Sequence, residues 1–309
     1  MRKLLGALVR KVFRVGLDPV IAHQIGSMAD QMAVVAHPVD KGTQILLTLN
    51  YQQLVRSGVP LPSLKDVAFR SYSQNGEDGI LLFIFALIGS TNRKVVEICA
   101  GNGIECNAAN LIANHAWRGL LLDGNAVNIE VGRAFYSKHP STLIQPPVLK
   151  EAWVTPDNVN ALIADNGFSG GIDLLSLDMD GMDYWVWKAI ECIQPRVVVL
   201  EHNSPWGANR AVTVPYQPDF VATFVDGAPE YCGASLPAFA KLAKSKGYRL
   251  VGVEPLGFNA FFVRDGLGEA VFPEVSVESC FSHEPLSPAQ QAKYAATLAR
   301  LESRAYVEV

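Results

Sequence analysis

Cysteine is scarce in this chain, and what there is does not pair. The five cysteines, Cys99, Cys106, Cys192, Cys232 and Cys280, form no C-x-x-C motif. An odd, scattered set argues against a disulfide framework and reads as reduced thiols in a cytoplasmic protein. Long apolar runs are also missing. The longest one beyond the first residues, ILLFIFALIG at 80–89, is too short to span a bilayer. An excess of positive charge is absent as well: the formal net charge of −4 gives no general pull toward nucleic acid. The chain shows no internal repeat and no low-complexity tract. What remains is globular. With 309 residues, 49% of them hydrophobic and 18% charged, the chain has ample core for one large domain with an appendage.

The first sixteen residues, MRKLLGALVRKVFRVG, stand apart. Apolar Leu4, Leu5, Leu8, Val9, Val12 and Phe13 recur at helical spacing, basic residues fill the gaps, and no acid occurs. Such a helix either lies on a membrane surface as a peripheral contact or packs on its own domain. It is too charged for the apolar region of a signal peptide.

Three segments are expected: a helical N-terminal extension over 1–70, an α/β domain over 71–270, and a C-terminal helical tail over 271–309. Within the middle segment, strands and helices alternate. Strands are read at 94–100, 119–125, 147–154, 172–180 and 196–203, with helices at 107–116, about 127–138, 156–167 and 184–193. Near-continuous β-branched and leucine runs separated by helices mean parallel strands covered on both faces, a doubly wound sheet. RLVGVEPLG and NAFFVRD then form two strands too close together for a crossover helix, so they pair antiparallel.

The first strand runs into EICAGNGIECN, Glu97 to Asn107. Gly101, Asn102 and Gly103 form G-x-G at a strand-to-helix turn, where glycine lets a ligand approach the backbone. The third glycine of a dinucleotide fingerprint is replaced by Cys106. Asp123 closes the second strand, where a carboxylate can take ribose hydroxyls. A ribose-bearing cofactor and an ordinary tight βα turn both fit these residues.

VEICAGNG resembles the first motif of class I S-adenosylmethionine-dependent methyltransferases, whose seven-stranded, mostly parallel, Rossmann-like sheet also ends in an antiparallel strand. SYSQNGEDGILLFIF, LLSLDMDGMDYWVWKAI and PRVVVLEHN, in that order, are similar to FkbM-type methyltransferases. The resemblance spans roughly residues 70–265. It implies that Glu97, Gly101, Asn102 and Gly103 line the methionine part of the cofactor. It also implies that Asp123 holds the ribose and that Trp153 lies near the adenine as a stacking surface.

Three aspartates, Asp178, Asp180 and Asp183, gather where the strand of DLLSLDMDGMDYW gives out. An unpaired buried carboxylate is expensive, so the cluster needs a metal, a cofactor contact or a capping role. Glu201 and Asn203 end the next strand in LEHN, with His202 between them. If the two strands are neighbours, four oxygen-bearing side chains converge, and such ligands suit magnesium, manganese or calcium. LDMDGMDY also resembles metal-dependent O-methyltransferases of the catechol type. That resemblance implies Asp178 and Asn203 as ligands, with Glu201 displaced by one place from the expected acid. It also implies a small-molecule or carbohydrate hydroxyl as acceptor, with His202 or Asp180 taking the proton. Asp183 is expected to cap the following helix. Trp206, Arg210, Tyr231 and Ser235 are further acceptor-pocket candidates. D-x-D also marks nucleotide-sugar transferases, which hold a metal-bound diphosphate, and DMDG matches the start of haloacid-dehalogenase phosphatases, although Met182 stands where those need a hydroxyl; for the chain as a whole, a non-catalytic binding protein that keeps the fold stays open.

Overall fold

The computed structural model describes residues 39–309 apart from 226–227 and 282–286. The basic N-terminal segment at 1–16 lies outside the described residues. No helix among the described residues is long and apolar enough to cross a membrane.

The chain enters through α1 (Lys41–Arg56) and α2 (Glu77–Ile88). It then alternates through β1 (Lys94–Ile98), α3 (Ala109–His115), β2 (Arg118–Asp123), α4 (Ala126–Tyr136) and β3 (Val148–Glu151). Next come α5 (Val159–Asp165), β4 (Gly170–Leu177), α6 (Asp183–Ala189) and β5 (Ile193–Glu201). After short strands β6 (Val212–Thr213), β7 (Thr223–Val225) and β8 (Ala228–Tyr231) follow α7 (Leu236–Ser245), β9 (Tyr248–Val253) and β10 (Asn259–Arg264). The tail holds α8 (Val277–Cys280), α9 (Pro288–Glu302) and β11 (Val307–Glu308).

Seven strands make one sheet in the order β3-β2-β1-β4-β5-β10-β9. The first five run parallel, and β10 is antiparallel to both β5 and β9. This is the doubly wound fold class expected from the alternation. Apolar clusters cover both faces: Trp187, Phe239 and Phe262 on one, Phe83, Tyr136 and Phe261 on the other. That is why the central strands read as unbroken apolar runs. Register lines up Leu122, Ile98, Leu177 and Leu200 across four strands and sets Glu201 opposite Asn259. The residues just past these ends therefore form one row along the carboxyl edge, where open α/β sheets place their ligands.

Some boundaries move for local reasons. The helix expected at 184–193 stops at Ala189, because the Asn160 side chain accepts the amides of Glu191 (2.8 Å) and Cys192 (3.0 Å). Strand β5 then starts three residues before the expected 196. The two short pairings, β6–β11 and β7–β8, were not anticipated, since two to four residues carry no periodic signal.

Helix α1 is tied to the sheet domain by a polar cluster. Buried Gln44 donates to Asn110 Oδ1 (3.1 Å) and Ser71 Oγ (3.3 Å), and its carbonyl oxygen contacts His115 Nε2 at 2.7 Å. The Tyr51 ring meets Phe83 edge-on at 4.8 Å. Burial, with Lys41 and Arg93 nearby, holds the His115 imidazole down at about 4. The folded chain thus binds this proton more weakly than the unfolded chain. Above the ordinary value of 6.5 the group costs nothing. As pH falls from there toward 4, stability is lost because the unfolded chain protonates first. Discounted for partial exposure, the loss is about 1–2 kcal/mol. Melting temperature measured from pH 7.5 to 4.5 should fall less steeply in His115→Gln than in the parent; equal slopes would assign the pH dependence elsewhere.

Buried Asp173 on β4 fixes the approach to β1. It accepts the amides of Thr91 (2.8 Å), Asn92 (2.8 Å) and Arg93 (2.6 Å), and Arg196 lies 3.4 Å away. Asp173→Ala strands three amides and one guanidinium, so it should cost about 3–5 kcal/mol in denaturant unfolding.

Candidate functional site

The turn after β1 is held open from two sides. The carboxylate of buried Glu97 accepts the amides of Asn107 (3.0 Å) and Ala108 (2.7 Å) and the Ser176 hydroxyl (3.1 Å). It thereby anchors the start of α3 behind the loop. Asp123 accepts Gly101 N–H (2.9 Å) on one oxygen, and Asn125 N–H (2.9 Å) and Asn128 Nδ2 (3.2 Å) on the other. Asn102 folds onto its own loop, accepting the amides of Ile104 and Glu105. Cys99, Gly101 and Gly103 all have left-handed backbone, with φ of 60°, 54° and 68°. A side chain at Gly103 would also sit 2.8 Å from Leu121 Cδ1. The first left-handed position is therefore a cysteine, which hides part of the turn from a motif search.

Three cavities follow the carboxyl edge. The first, about 280 Å³, lies between the Gln74–Asn75 segment, Glu97, the Cys99–Gly101 turn, Asp178 and Phe258. A smaller one of about 100 Å³ shares Cys99 with it and is lined by Gly124, Trp153, Met179, Tyr216 and Phe220. Trp153 is half exposed there and donates its Nε1–H to the Pro218 carbonyl (2.7 Å). On the other side, a cavity of about 300 Å³ shares Glu201 and Phe258 with the first. Asp180, Asp183, His202, Asn203 and Cys232 form its sheet-side wall. Each cavity shares lining residues with the next, giving a row that runs from Trp153 past the Cys99–Gly101 turn to LEHN.

The acidic residues lie where the first and second large cavities meet. Strands β4 and β5 are neighbours, as expected, so Asp178 and Glu201 face each other across the edge. Carboxylate oxygens of Asp178, Asp180 and Glu201 all lie within 4.8 Å of one another. Asp180 arrives there by a different route from the one expected. Strand β4 ends at Leu177, and Asp180 sits in the following turn with φ of 52° rather than on the strand face. Among the described residues none of the three accepts a backbone amide, and the ion pairs lie elsewhere, as in Arg196–Asp173 and Arg210–Glu308. The surrounding protein raises the carboxyls of Asp178 and Glu201, and their mutual charge and shared hydrogen bond raise Glu201 further. The pair holds a proton that a cation would displace.

Asp183 has the looping role but in reverse. It is the first residue of α6, and its carboxylate reaches back to the amides of Met179 (2.8 Å) and Gly181 (3.1 Å). It thus shapes the turn that presents Asp180. His202 is buried at 4% exposure, packs edge-on to Phe281, and neither ring nitrogen has a hydrogen-bond partner. Burial holds its imidazole neutral, down at about 4. Asn203 Nδ2 donates to the Cys232 carbonyl at 3.0 Å, which fixes the side chain at the cavity edge.

Four acceptor candidates are committed elsewhere. Ser235 caps α7, accepting Ala238 N–H and donating to the Arg210 carbonyl (2.7 Å). Tyr231 donates to the Ala305 carbonyl at 2.7 Å. Arg210 lies over the buried Trp206 ring and pairs with Glu308, so both serve the packing of the tail. Conversely, several wall residues went unread. Glu77 accepts Asn75 N–H (2.8 Å) and Asn259 Nδ2 (2.8 Å), leaving Asn259 Oδ1 buried without a partner beside the first cavity. The polar run SYSQNGED reads as a helix start, and its second use as a cavity wall leaves no separate signal. Gly132 on α4 was also missed: a Cβ there would meet the Asn102 carbonyl oxygen at 2.4 Å.

No protein-family model matches the chain, and no curated protein does. Solved structures similar to it include an O-methyltransferase from Bacillus cereus in complex with S-adenosylhomocysteine. That match has 14% identity and a TM-score of 0.40, covering 76% of this chain and 95% of that one. The N-terminal domain of EvdMO1 with S-adenosylhomocysteine bound is similar at 14% identity and a TM-score of 0.39, covering 74% and 97%. Magnesium protoporphyrin IX methyltransferase from Synechocystis PCC 6803 with S-adenosylmethionine bound is similar at 10% identity and a TM-score of 0.33, covering 72% and 80%. The sheet described above is doubly wound, with β10 antiparallel to both of its neighbours.

The tightness of the turn gives a direct test. Gly132→Ala should push the Asn102 carbonyl and Leu149 aside, at a cost of about 1–3 kcal/mol in unfolding free energy. An unchanged melting temperature would mean that α4 does not brace the glycine turn.

Proposed function

We propose that the chain is an S-adenosylmethionine-dependent methyltransferase that methylates a hydroxyl oxygen of a small-molecule or carbohydrate acceptor. The observation that carries this reading is the row of cavities, in which the one beside the glycine turn and the one beside LEHN meet at Glu201 and Phe258. The methionine part fits the first cavity beside Glu97 and the Gly101–Gly103 turn. Asp123 takes the ribose hydroxyls, and the adenine enters the smaller cavity against Trp153. S-adenosylmethionine held there would supply the methyl group, with Glu201, His202 and Asp180 on the acceptor side of it.

In the reaction an acceptor oxygen attacks the methyl carbon in line. The carbon–sulfur bond breaks onto sulfur, neutralising the sulfonium, and the hydroxyl proton leaves to a base. His202, held neutral by burial, and Asp180 are the proton acceptors on that side. The acidic row suits a cationic sulfonium, and alignment of the two reactants supplies much of the rate.

The donor set fits a hard divalent cation. Asp178, Asp180 and Glu201 offer only oxygen, lie close together, and are satisfied neither by amides nor by ion pairs. These three, with Asn203 beside them, would hold magnesium or a similar ion, whose charge lowers the pKa of a neighbouring hydroxyl.

Calorimetric titration of S-adenosylmethionine, with and without magnesium, should show one site per chain. Asp123→Ala should weaken it about tenfold or more, the loss of a charged hydrogen-bonding group. Absence of binding in both conditions sinks the proposal, and a nucleotide-sugar binding in its place would favour the glycosyl-transfer reading. Asp178→Ala should abolish the magnesium-dependent part of methyl transfer while leaving cofactor affinity within a few-fold. Unchanged metal dependence in that variant would remove the metal from the reading.

A further inference from the structure

The carboxyl edge of the sheet is acidic, and the opposite end of the same strands is not. Three stretches meet there: α1 (41–56), α2 with the turn into β1 (79–96), and α3 with its flanks (106–118). None of the three contains an aspartate or a glutamate. They carry Lys41, Arg56, Arg93, Lys94 and Arg118, with Lys94 and Arg118 side by side in the β1–β2 register. Of the acids nearby, Asp40 caps α1 through Thr43, and Asp173 is committed to the amides of residues 91–93 and to Arg196.

A cavity of about 310 Å³ lies where the three stretches meet. Lys41 and Arg93 line it, both exposed, and neither takes part in an ion pair among the described residues. Phe85 and Trp117 form its aromatic wall, edge to face at 4.7 Å. Arg93 has left-handed backbone with φ of 53°, held by the Asp173 carboxylate through the Asn92 and Arg93 amides, so the fold sets where this cation stands. Ile45 lines the same cavity and opens an apolar row on α1. Leu46 and Leu49 continue that row, exposed at 68% and 57%. A contiguous apolar row in water, rimmed by charge of one sign, marks an interaction surface.

We propose that this face of α1, with the Lys41–Arg93 cavity beside it, docks on an anionic membrane surface. Ile45, Leu46 and Leu49 enter the boundary between headgroups and acyl chains, and the two cations take lipid phosphates. An apolar row flanked by cations and free of acids is what an interfacial helix presents to anionic lipid. The chain ahead of α1 carries the same sign: residues 1–16 hold Arg2, Lys3, Arg10, Lys11 and Arg14 and no acid. Like charge turns that segment away from the cavity, whereas an anionic bilayer attracts both. A second copy seated here about a two-fold axis would set the same cations against one another. The row of cavities lies at the other end of the strands and stays open when this face is docked. The proposal stands whether or not the methyltransferase reading does.

The full chain should be sedimented with vesicles of phosphatidylcholine alone and of phosphatidylcholine with an equal part of phosphatidylglycerol. It should partition onto the anionic vesicles about tenfold or more better than onto the neutral ones, and salt should weaken the binding. Lys41→Gln/Arg93→Gln and Leu46→Gln/Leu49→Gln should each lower that partitioning about tenfold, with melting temperature unchanged because all four side chains are exposed. Leu49→Trp keeps the apolar area and adds a fluorophore, which brominated phosphatidylglycerol should quench beyond the parent's own signal. Failure of the parent to bind anionic vesicles, undiminished binding by either double variant, or no added quenching overturns the proposal. So does a parent dimer that Leu46→Gln/Leu49→Gln converts to monomer, since the face then belongs to a contact between copies.

Discussion

The interaction on which this structure depends is the buried carboxylate that gathers backbone amides. Asp78 accepts Ser71, Tyr72 and Ser73 N–H; Glu97 accepts Asn107 and Ala108; Asp123 accepts Gly101 and Asn125. Asp173 fixes residues 91–93, Asp183 fixes the 179–181 turn, and Glu254 accepts the amides of Leu256, Phe258 and Asn259. Loops at a sheet edge have amides that no ladder satisfies, and a carboxylate with two acceptor oxygens can settle several at once. Burial raises the carboxyls of Asp78 and Asp183 to about 6, and the amides pull the other way. Each such acid trades desolvation for a rigid loop.

Against that pattern Asp178, Asp180 and Glu201 are the exception. They share the carboxyl edge with Glu97, Asp123 and Asp183, which all hold amides, and among the described residues they hold none. Repulsion between close carboxylates in a cleft is a standing cost that a packing role does not justify. Asp180 adds a left-handed backbone, a conformation a non-glycine residue keeps only when its surroundings enforce it. Asp183 supplies that enforcement by tying down the turn on both sides of Asp180. A left-handed turn and carboxylates bonded only to one another thus coincide at one place on the edge.

The sheet was legible because periodicity survives in long strands. Parallel β4 and β5, buried on both faces, read as apolar runs, and their adjacency placed Asp178 beside Glu201. Asp123 and the glycine turn were found from chemistry at strand ends. What escaped detection depends on pairing rather than pattern. Nothing local says that Asn259 will face Glu77, or that Gly132 must be bare so that α4 can touch the Asn102 carbonyl. Ser235, Tyr231, Trp206 and Arg210 could not be placed from residue type near a site, which says little about direction; the partners of Ser235, Tyr231 and Arg210, at 210, 305 and 308, lie in other segments. The cavity face of α9 was invisible for the same reason, since three polar positions on an amphipathic helix look like solvent exposure until the helix is docked.

The two ends of the row of cavities draw on different parts of the chain. The glycine turn and Trp153 lie before residue 155, whereas the cavity beside LEHN is lined by Asp180, Asp183, residues from the end of β5 onward and α9. Glu201 and Phe258 belong to both large cavities. Trp206, just past β5, is the anchor for Leu301 and carries Arg210 above its ring, with Arg210 paired to Glu308. The helix that supplies Lys293 and Arg300 is thus docked on the strand extension that supplies Glu201 and His202. Distances between the opposing charges are set within one packed unit, independently of the glycine turn. Such a division lets the α9 wall change by substitution on one exposed helix face while the glycine turn, the carboxylate-held loops and the acidic edge stay as they are.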